Sequence, residues 1–329
     1  MSLRTKFKSN PLFYYGMSIA ASWAGVGSML NSITLTQTVG IVPSLMWSIA
    51  NSAACILFAL LVMVLPEMRT VFKTKLVKYV LGGMSVFQIW LNMNGIKQIF
   101  SDTIVTEKGG TIIAYAVALF FIVLLLSFGL IRNVLTDNMG WTIVYGTVVL
   151  VTVLALFQCG GNFIHNPIGL DKLDVGLHKS FLLLSGPFTF AYFFELFEYN
   201  DQNDDGTPRI NIVKAFTLGG LLFGLYMVFT FILAFTPFSP ALNLIKAICV
   251  AFVATSTVSS FIYGAYVAFG RWIGAAVSLI AVLLWPHFMK MGVMGVWTLV
   301  ASIRTYIVAA MIIAAIAIRI HNGRRAVEA

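Results

Sequence analysis

The feature that most constrains this chain is a succession of ten apolar runs, about 18 to 27 residues each, separated by short polar breaks. Each run is long enough to cross a hydrocarbon core of about 30 Å as a helix. The runs predict spans over 12–36, 41–65, 77–98, 111–131, 140–160, 178–199, 212–236, 241–268, 272–289 and 293–319. Their length excludes a membrane barrel, whose strands are about 10 residues long and alternate in polarity. A water-soluble fold is excluded by composition. Only 10% of the 329 residues are charged, and mean hydropathy is +0.92. A soluble domain carries about 25% charged residues.

The formal charge of +9 does not point to nucleic acid, because the basic residues lie scattered in loop-sized gaps. With the N-terminus inside, 14 of the 21 Lys and Arg fall on the cytoplasmic side, 6 on the other, and Arg304 lies within the tenth span. This bias predicts a multi-pass protein of the cell membrane with both termini cytoplasmic. The first run is too long for the apolar part of a signal peptide and reads as a retained span. Cys55, Cys159 and Cys249 sit apart in apolar stretches and form neither a disulfide framework nor a metal motif.

Two spans carry helix-breaking residues. The first holds Ala24-Gly25-Val26-Gly27-Ser28, near Ser22, Asn31 and Ser32, and the sixth holds Ser185-Gly186-Pro187. Proline removes a backbone donor and glycine weakens a helix. Unwound backbone survives in a bilayer only where protein or a watery cavity satisfies it. These are the first helices of two five-helix halves, 12–160 and 178–319. Corresponding breaks in two halves are the signature of an inverted-repeat transporter with its site near the bilayer midplane. The plainer alternative is that glycine and proline are common in membrane helices.

The eighth span carries Thr255, Ser256, Thr257, Ser259 and Ser260 within six positions. Such hydroxyls either bond their own helix or its neighbours, or supply oxygens to a small hard cation. In the third span, Gln88 and Asn92 share a helix face, with Trp90 and Asn94 beside them. Two amides there suit a neutral polar solute, or else bond neighbouring helices. Thr189 and Tyr192 follow the break in span six.

Arg304 is the most informative single residue. A guanidinium at mid-span costs at least about 2.5–3.5 kcal/mol on insertion scales. Three fates are open to it: holding a substrate carboxylate, pairing with Glu195, or reaching the interface. A proton carrier needs a titratable carboxylate within the membrane, and Glu195 is the one that qualifies, marginally, Glu198 standing at the end of the same span. The loop from Asp201 to Gly206 imitates the start of a calcium loop, but Ile212 stands where a bidentate Glu is required. His165, His178, His287 and His321 fall near span ends, without ligand spacing.

Residues Ala20 through Ser32, followed by Gln37 to Gly40, resemble the first core helix of the solute:sodium symporter family, most closely its urea-transporter branch. Phe252 through Ser260, with Tyr266 and Arg271, resemble that family's eighth core helix. The resemblance implies an all-α polytopic fold: ten helices in a five-plus-five inverted repeat with helices one and six broken, the LeuT-like arrangement shared by amino-acid, sugar and nucleobase symporters. It implies a sodium ion between helices one and eight, held by the carbonyls of Ala21, Ala24 and Val253 and the hydroxyls of Ser256 and Thr257. The two breaks put Trp23, Gly25, Gly27, Ser28, Ser185 and Gly186 at the expected solute site, beside Gln88, Asn92, Thr189 and Arg304, and the resemblance suggests Tyr192 as an aromatic cover on its cytoplasmic side.

The function expected is therefore sodium-coupled symport of a small polar solute, such as urea, an amino acid or another small molecule, with a proton-coupled or uncoupled carrier as the alternative. Motifs of an intramembrane enzyme are absent: there is no GxSxG and no HExxH. Neither a charged ring nor a filter loop marks a channel.

Overall fold

The computed structural model describes residues 10–103, 105–126, 130–200, 210–237 and 240–328. Every regular element among them is helical. In order they are α1 (Pro11–Trp23), α2 (Val26–Thr38), α3 (Ile41–Val64), α4 (Glu67–Lys73), α5 (Lys75–Thr103), α6 (Glu107–Leu125) and α7 (Leu130–Cys159). Then follow α8 (Leu173–Leu184), α9 (Ala191–Asn200), α10 (Ile212–Leu233), α11 (Pro240–Phe269), α12 (Arg271–Leu284) and α13 (Gly292–Glu328). Side-chain caps open several of them. Asn10 accepts from the Phe13 amide, Thr106 from Gly109, and Asn211 from Lys214, each satisfying an amide that the first turn leaves over.

Among the described residues, six helices are long and apolar enough to cross a membrane: α3, α6, α7, α10, α11 and α13. A seventh span results if Leu170–Thr189 and Ala191–Glu198, bent by 50° at their junction, count as one. The chain is a multi-pass membrane protein. The remaining runs of the sequence are helical but fall short of that test for identifiable reasons. The first is divided into α1 and α2, α5 is long but studded with amides and lysines, and α12 with its 3-10 continuation covers only Arg271–His287.

The distribution of polarity is inverted relative to a soluble protein. Val123 and Phe157 are 69% and 81% exposed, whereas Ser22, Asn92, Asp137 and Thr257 are buried. A lipid solvent accounts for both, since apolar side chains suit it and polar ones must find partners inside. At the centre, α11 packs on α5 and α7, while α10 packs on α1 and α3, and α8 lies along α3. Gly40, at φ 137°, allows a close backbone approach at the start of α3. An added Cβ would lie 2.6 Å from Gly169 Cα, and the Ile41 amide donates to Pro167 O at 2.9 Å.

Charged residues collect at the two ends. At one, Arg319 pairs with Glu67 at 3.4 Å, Lys73 faces Glu198 at 3.9 Å, and Arg69 lies 5.0 Å over the Phe197 ring. At the other, Lys97 pairs with Glu107 at 2.6 Å. This grouping follows the alternation from which the sequence predicted two sides. The acidic loop at 201–209 and the basic residues at 1–9 lie outside the described residues.

Candidate functional site

The first span is interrupted where its glycines fall. After Trp23 the Gly25 amide turns to Trp23 O at 3.0 Å, which takes it away from Ala21 O, the acceptor a continuous helix would use. Gly25 is extended, and α2 restarts at Val26. The sixth span is interrupted at Ser185, passes through a 3-10 turn over Gly186–Thr189, and restarts at Ala191 after an extended Phe190. The two interruptions touch. A Cβ on Gly186 would lie 2.0 Å from Cη2 of Trp23, so only glycine lets the indole lie on this turn. The indole is fixed from its other side by Nε1 donating to Asn51 O at 2.9 Å.

A cavity opens beside this contact. It has about 40 Å³ of room for the centre of a water molecule, roughly three to four times what one water needs. Trp23, Gly25, Gly27 and Ser28 of the first span line it, as do Gln88 and Asn92 of α5, Thr257 of α11 and Arg304 of α13. Trp47, Asn51, Phe190, Phe261 and Trp297 complete most of the wall. The aromatic residues give it apolar faces, and the amides give a few polar points, the usual make-up of a small-molecule site.

Oxygens gather where α11 meets the broken first span. Thr257 Oγ1 lies 2.5 Å from Ala24 O and 2.7 Å from Val253 O. A hydroxyl has one proton to donate, so two carbonyls compete for it, and three oxygens cluster about the Thr257 hydroxyl. That donor set suits a hard monovalent cation, which takes neutral oxygens. The sequence had joined Ala24, Val253 and Thr257 through the family resemblance. Ala21 is buried nearby on α1, its carbonyl relieved of the Gly25 amide. The side chain of Ser256 lies outside the described ones.

Four residues expected at the solute site do not line the cavity. Gly186 lies behind Trp23, and Thr189 Oγ1 donates to Gly186 O at 2.8 Å, closing its own turn. Ser185 Oγ donates to Leu182 O at 2.8 Å. Tyr192 points the other way, its hydroxyl 2.5 Å from Ser18 Oγ. Of the fates open to Arg304, two are corrected. It is 3% exposed, so it does not reach the interface, and it makes no ion pair with Glu195, which accepts instead from the Tyr263 hydroxyl at 3.0 Å. Arg304 Nε donates to Ser185 Oγ at 3.1 Å and Nη2 to Leu182 O at 2.9 Å, tying α13 to the break. Trp90 and Asn94 hold α12 and the segment after it: Trp90 Nε1 donates to Ala281 O, and Trp285 Nε1 to Asn94 Oδ1.

The sequence reading missed Asp137. It placed the fifth span at 140–160 and counted Glu195 as the one carboxylate within the membrane that could carry a proton. Instead α7 begins ten residues earlier, and Asp137 is wholly buried. Ser18 Oγ donates to Asp137 Oδ2 at 2.7 Å, Ser22 lies 3.4 Å from the same oxygen, and Ser259 lies 3.5 Å from Oδ1. Ser22 also meets Ser260 at 2.9 Å. This carboxylate thus joins α1, α7 and α11, through Ser22 and Ser259 that lie two residues from Ala24 and Thr257. A signal was available. Val134, Asp137, Trp141, Val144, Val148 and Val151 are all fully buried at helical spacing, and that stripe runs back through Asp137 without a gap.

No family model and no curated protein sequence matches this chain.

Proposed function

We propose that this chain is a secondary transporter that carries a small polar solute across the cell membrane by alternating access, with sodium as the coupling ion. It is not an enzyme on this reading. The architecture we propose is the ten-span, five-plus-five inverted repeat, with 12–160 and 178–319 as its halves and both termini cytoplasmic. The observation that carries it is the meeting of two interrupted helices at one cavity, with Ala24 O, Val253 O and Thr257 Oγ1 clustered at its edge. Broken backbone at membrane depth persists where protein or a watery cavity satisfies it, and corresponding breaks in two halves are the pattern of a solute site at their junction.

In this mechanism sodium draws the first span and α11 together and stabilises the form of the cavity that takes solute. Coupling of this kind is reciprocal, so solute raises sodium affinity by the same factor. The experiment is uptake into proteoliposomes over a panel of ureas, amino acids, sugars, nucleobases and small carboxylates, with and without an inward sodium gradient. Accumulation of one class above its equilibrium level, lost when the gradient is collapsed, supports the proposal. Indifference of every solute to sodium removes the coupling.

Asp137 favours a second reading, proton coupling. A buried carboxylate that touches both α1 and α11 is a group whose charge change would alter the packing of the two helices. Uptake driven by an imposed pH gradient in sodium-free medium, and abolished by Asp137→Asn, would select this reading over sodium.

A further inference from the structure

We infer that the solute held in this cavity is a small monocarboxylate anion, its carboxylate recognised by Arg304 and Gln88. The inference rests on the transporter reading of the same cavity and adds the chemistry of its cargo.

Charge is the first argument. Among the described residues that line the cavity, fifteen in all, none is acidic and Arg304 is the only cation. Its two protein partners, Ser185 Oγ and Leu182 O, are neutral. They fix the guanidinium plane while leaving its charge uncompensated, and a buried charge is retained where a counter-charge comes to it. The remaining nitrogen, Nη1, makes no hydrogen bond to a described residue. With Nε and Nη2 anchored to protein, the Nη1 end of the planar fork is left for a ligand, and carboxylates match that geometry.

Gln88 gives an independent observation. It is 6% exposed, lines the same cavity, and its side-chain amide makes no hydrogen bond to a described residue. A buried amide without a partner is costly, and its NH₂ is a donor suited to a second carboxylate oxygen. A neutral urea would meet this amide but would leave the Arg304 charge unanswered.

Size and wall chemistry narrow the class. The 40 Å³ open to the centres of water-sized atoms corresponds to about three or four waters, room for a short monocarboxylate. Trp23, Phe190 and Trp297 form apolar walls, which favour a methyl or ethyl tail over the all-polar surface of nitrate or bicarbonate.

The test is equilibrium binding to the purified full chain in detergent, read by tryptophan fluorescence, since three tryptophans face the cavity. Sodium acetate, propionate, nitrate, bicarbonate and urea are titrated at constant sodium and ionic strength. Saturable quenching by acetate or propionate is expected, at least tenfold tighter than by nitrate, bicarbonate or urea. Arg304→Gln should weaken acetate binding at least tenfold and Arg304→Lys less. Because Arg304 also braces the helix break, Gln88→Leu is the second variant: it keeps the cation and should weaken acetate several-fold without lowering the thermal midpoint. Preference for urea, nitrate or bicarbonate, absence of saturation by any carboxylate, or equal acetate binding by wild type, Arg304→Gln and Gln88→Leu overturns the inference. Binding without uptake in proteoliposomes would instead refute the transporter reading and leave the ligand class standing. Sodium-driven uptake of urea alone would do the reverse.

Discussion

Replacing Gly186 by alanine tests the contact that brings the two helix breaks together. The added methyl would lie 2.0 and 2.5 Å from Cη2 and Cζ3 of Trp23, where carbon atoms need about 3.5–4.0 Å. One of the two must therefore move by roughly 1.5 Å. The indole cannot swing freely, because Nε1 donates to Asn51 O at 2.9 Å and its edge packs against Phe190 with ring centres 5.7 Å apart. Overpacking of this kind costs about 1–3 kcal/mol, and loss of the indole hydrogen bond adds about 1 kcal/mol. For a chain of 329 residues, a total near 2–4 kcal/mol corresponds to a fall in thermal midpoint of roughly 3–6 °C. Trp23→Phe removes the offending ring atoms, so the double variant should recover much of the loss, with a coupling of at least about 1 kcal/mol. The assay is thermal unfolding of the three variants in one detergent. Gly186→Ala with wild-type stability, or losses that simply add in the double variant, would refute the packing argument.

Thr257→Val is nearly isosteric and removes the oxygen between Ala24 O and Val253 O; the sodium concentration giving half-maximal uptake should rise about tenfold, roughly 1.4 kcal/mol for one lost oxygen, while Thr257→Ser stays near wild type. Asp137→Leu strips the acceptor from Ser18, Ser22 and Ser259 and should cost about 2–3 kcal/mol in thermal stability, with Asp137→Asn, which keeps an acceptor oxygen, costing less. Arg319→Ala breaks a half-exposed pair with Glu67 and should change stability by about 1 kcal/mol or less, measured by the same melt. Because the three native cysteines are buried, single cysteines placed at Lys73 and Asp171, both exposed, should react with an impermeant maleimide from opposite faces of the membrane, the first from the cytoplasmic side.

What the sequence made legible followed from chemistry that acts locally. Apolar run length announces helices in lipid, and Gly25 and the Gly186-Pro187 pair announce where the first and sixth runs come apart. Span ends were less legible, because a helix carries on past the lipid-facing stretch when its inner face stays buried. Asp137 was lost in this way: the polar run Thr136-Asp137-Asn138 resembles a loop until its place on the stripe through Trp141 and Val148 is noticed. Side-chain direction around a break was not legible either. Tyr192 follows the sixth-span break in sequence, yet the 3-10 turn rotates it toward Ser18 and away from the cavity. Arg304 was conspicuous as a charge, but its partners, a serine hydroxyl and a backbone carbonyl at the break, exist only because that helix stops there.

The most direct test of alternating access is the reactivity of a cysteine at Ser28, which lines the cavity and is 8% exposed. In membrane vesicles of defined sidedness and a background lacking the native cysteines, an impermeant thiol reagent should modify Ser28→Cys from the outside in sodium and from the inside without it, and solute should protect in both cases. A reaction rate unaffected by sodium, solute and the side of addition would contradict the account.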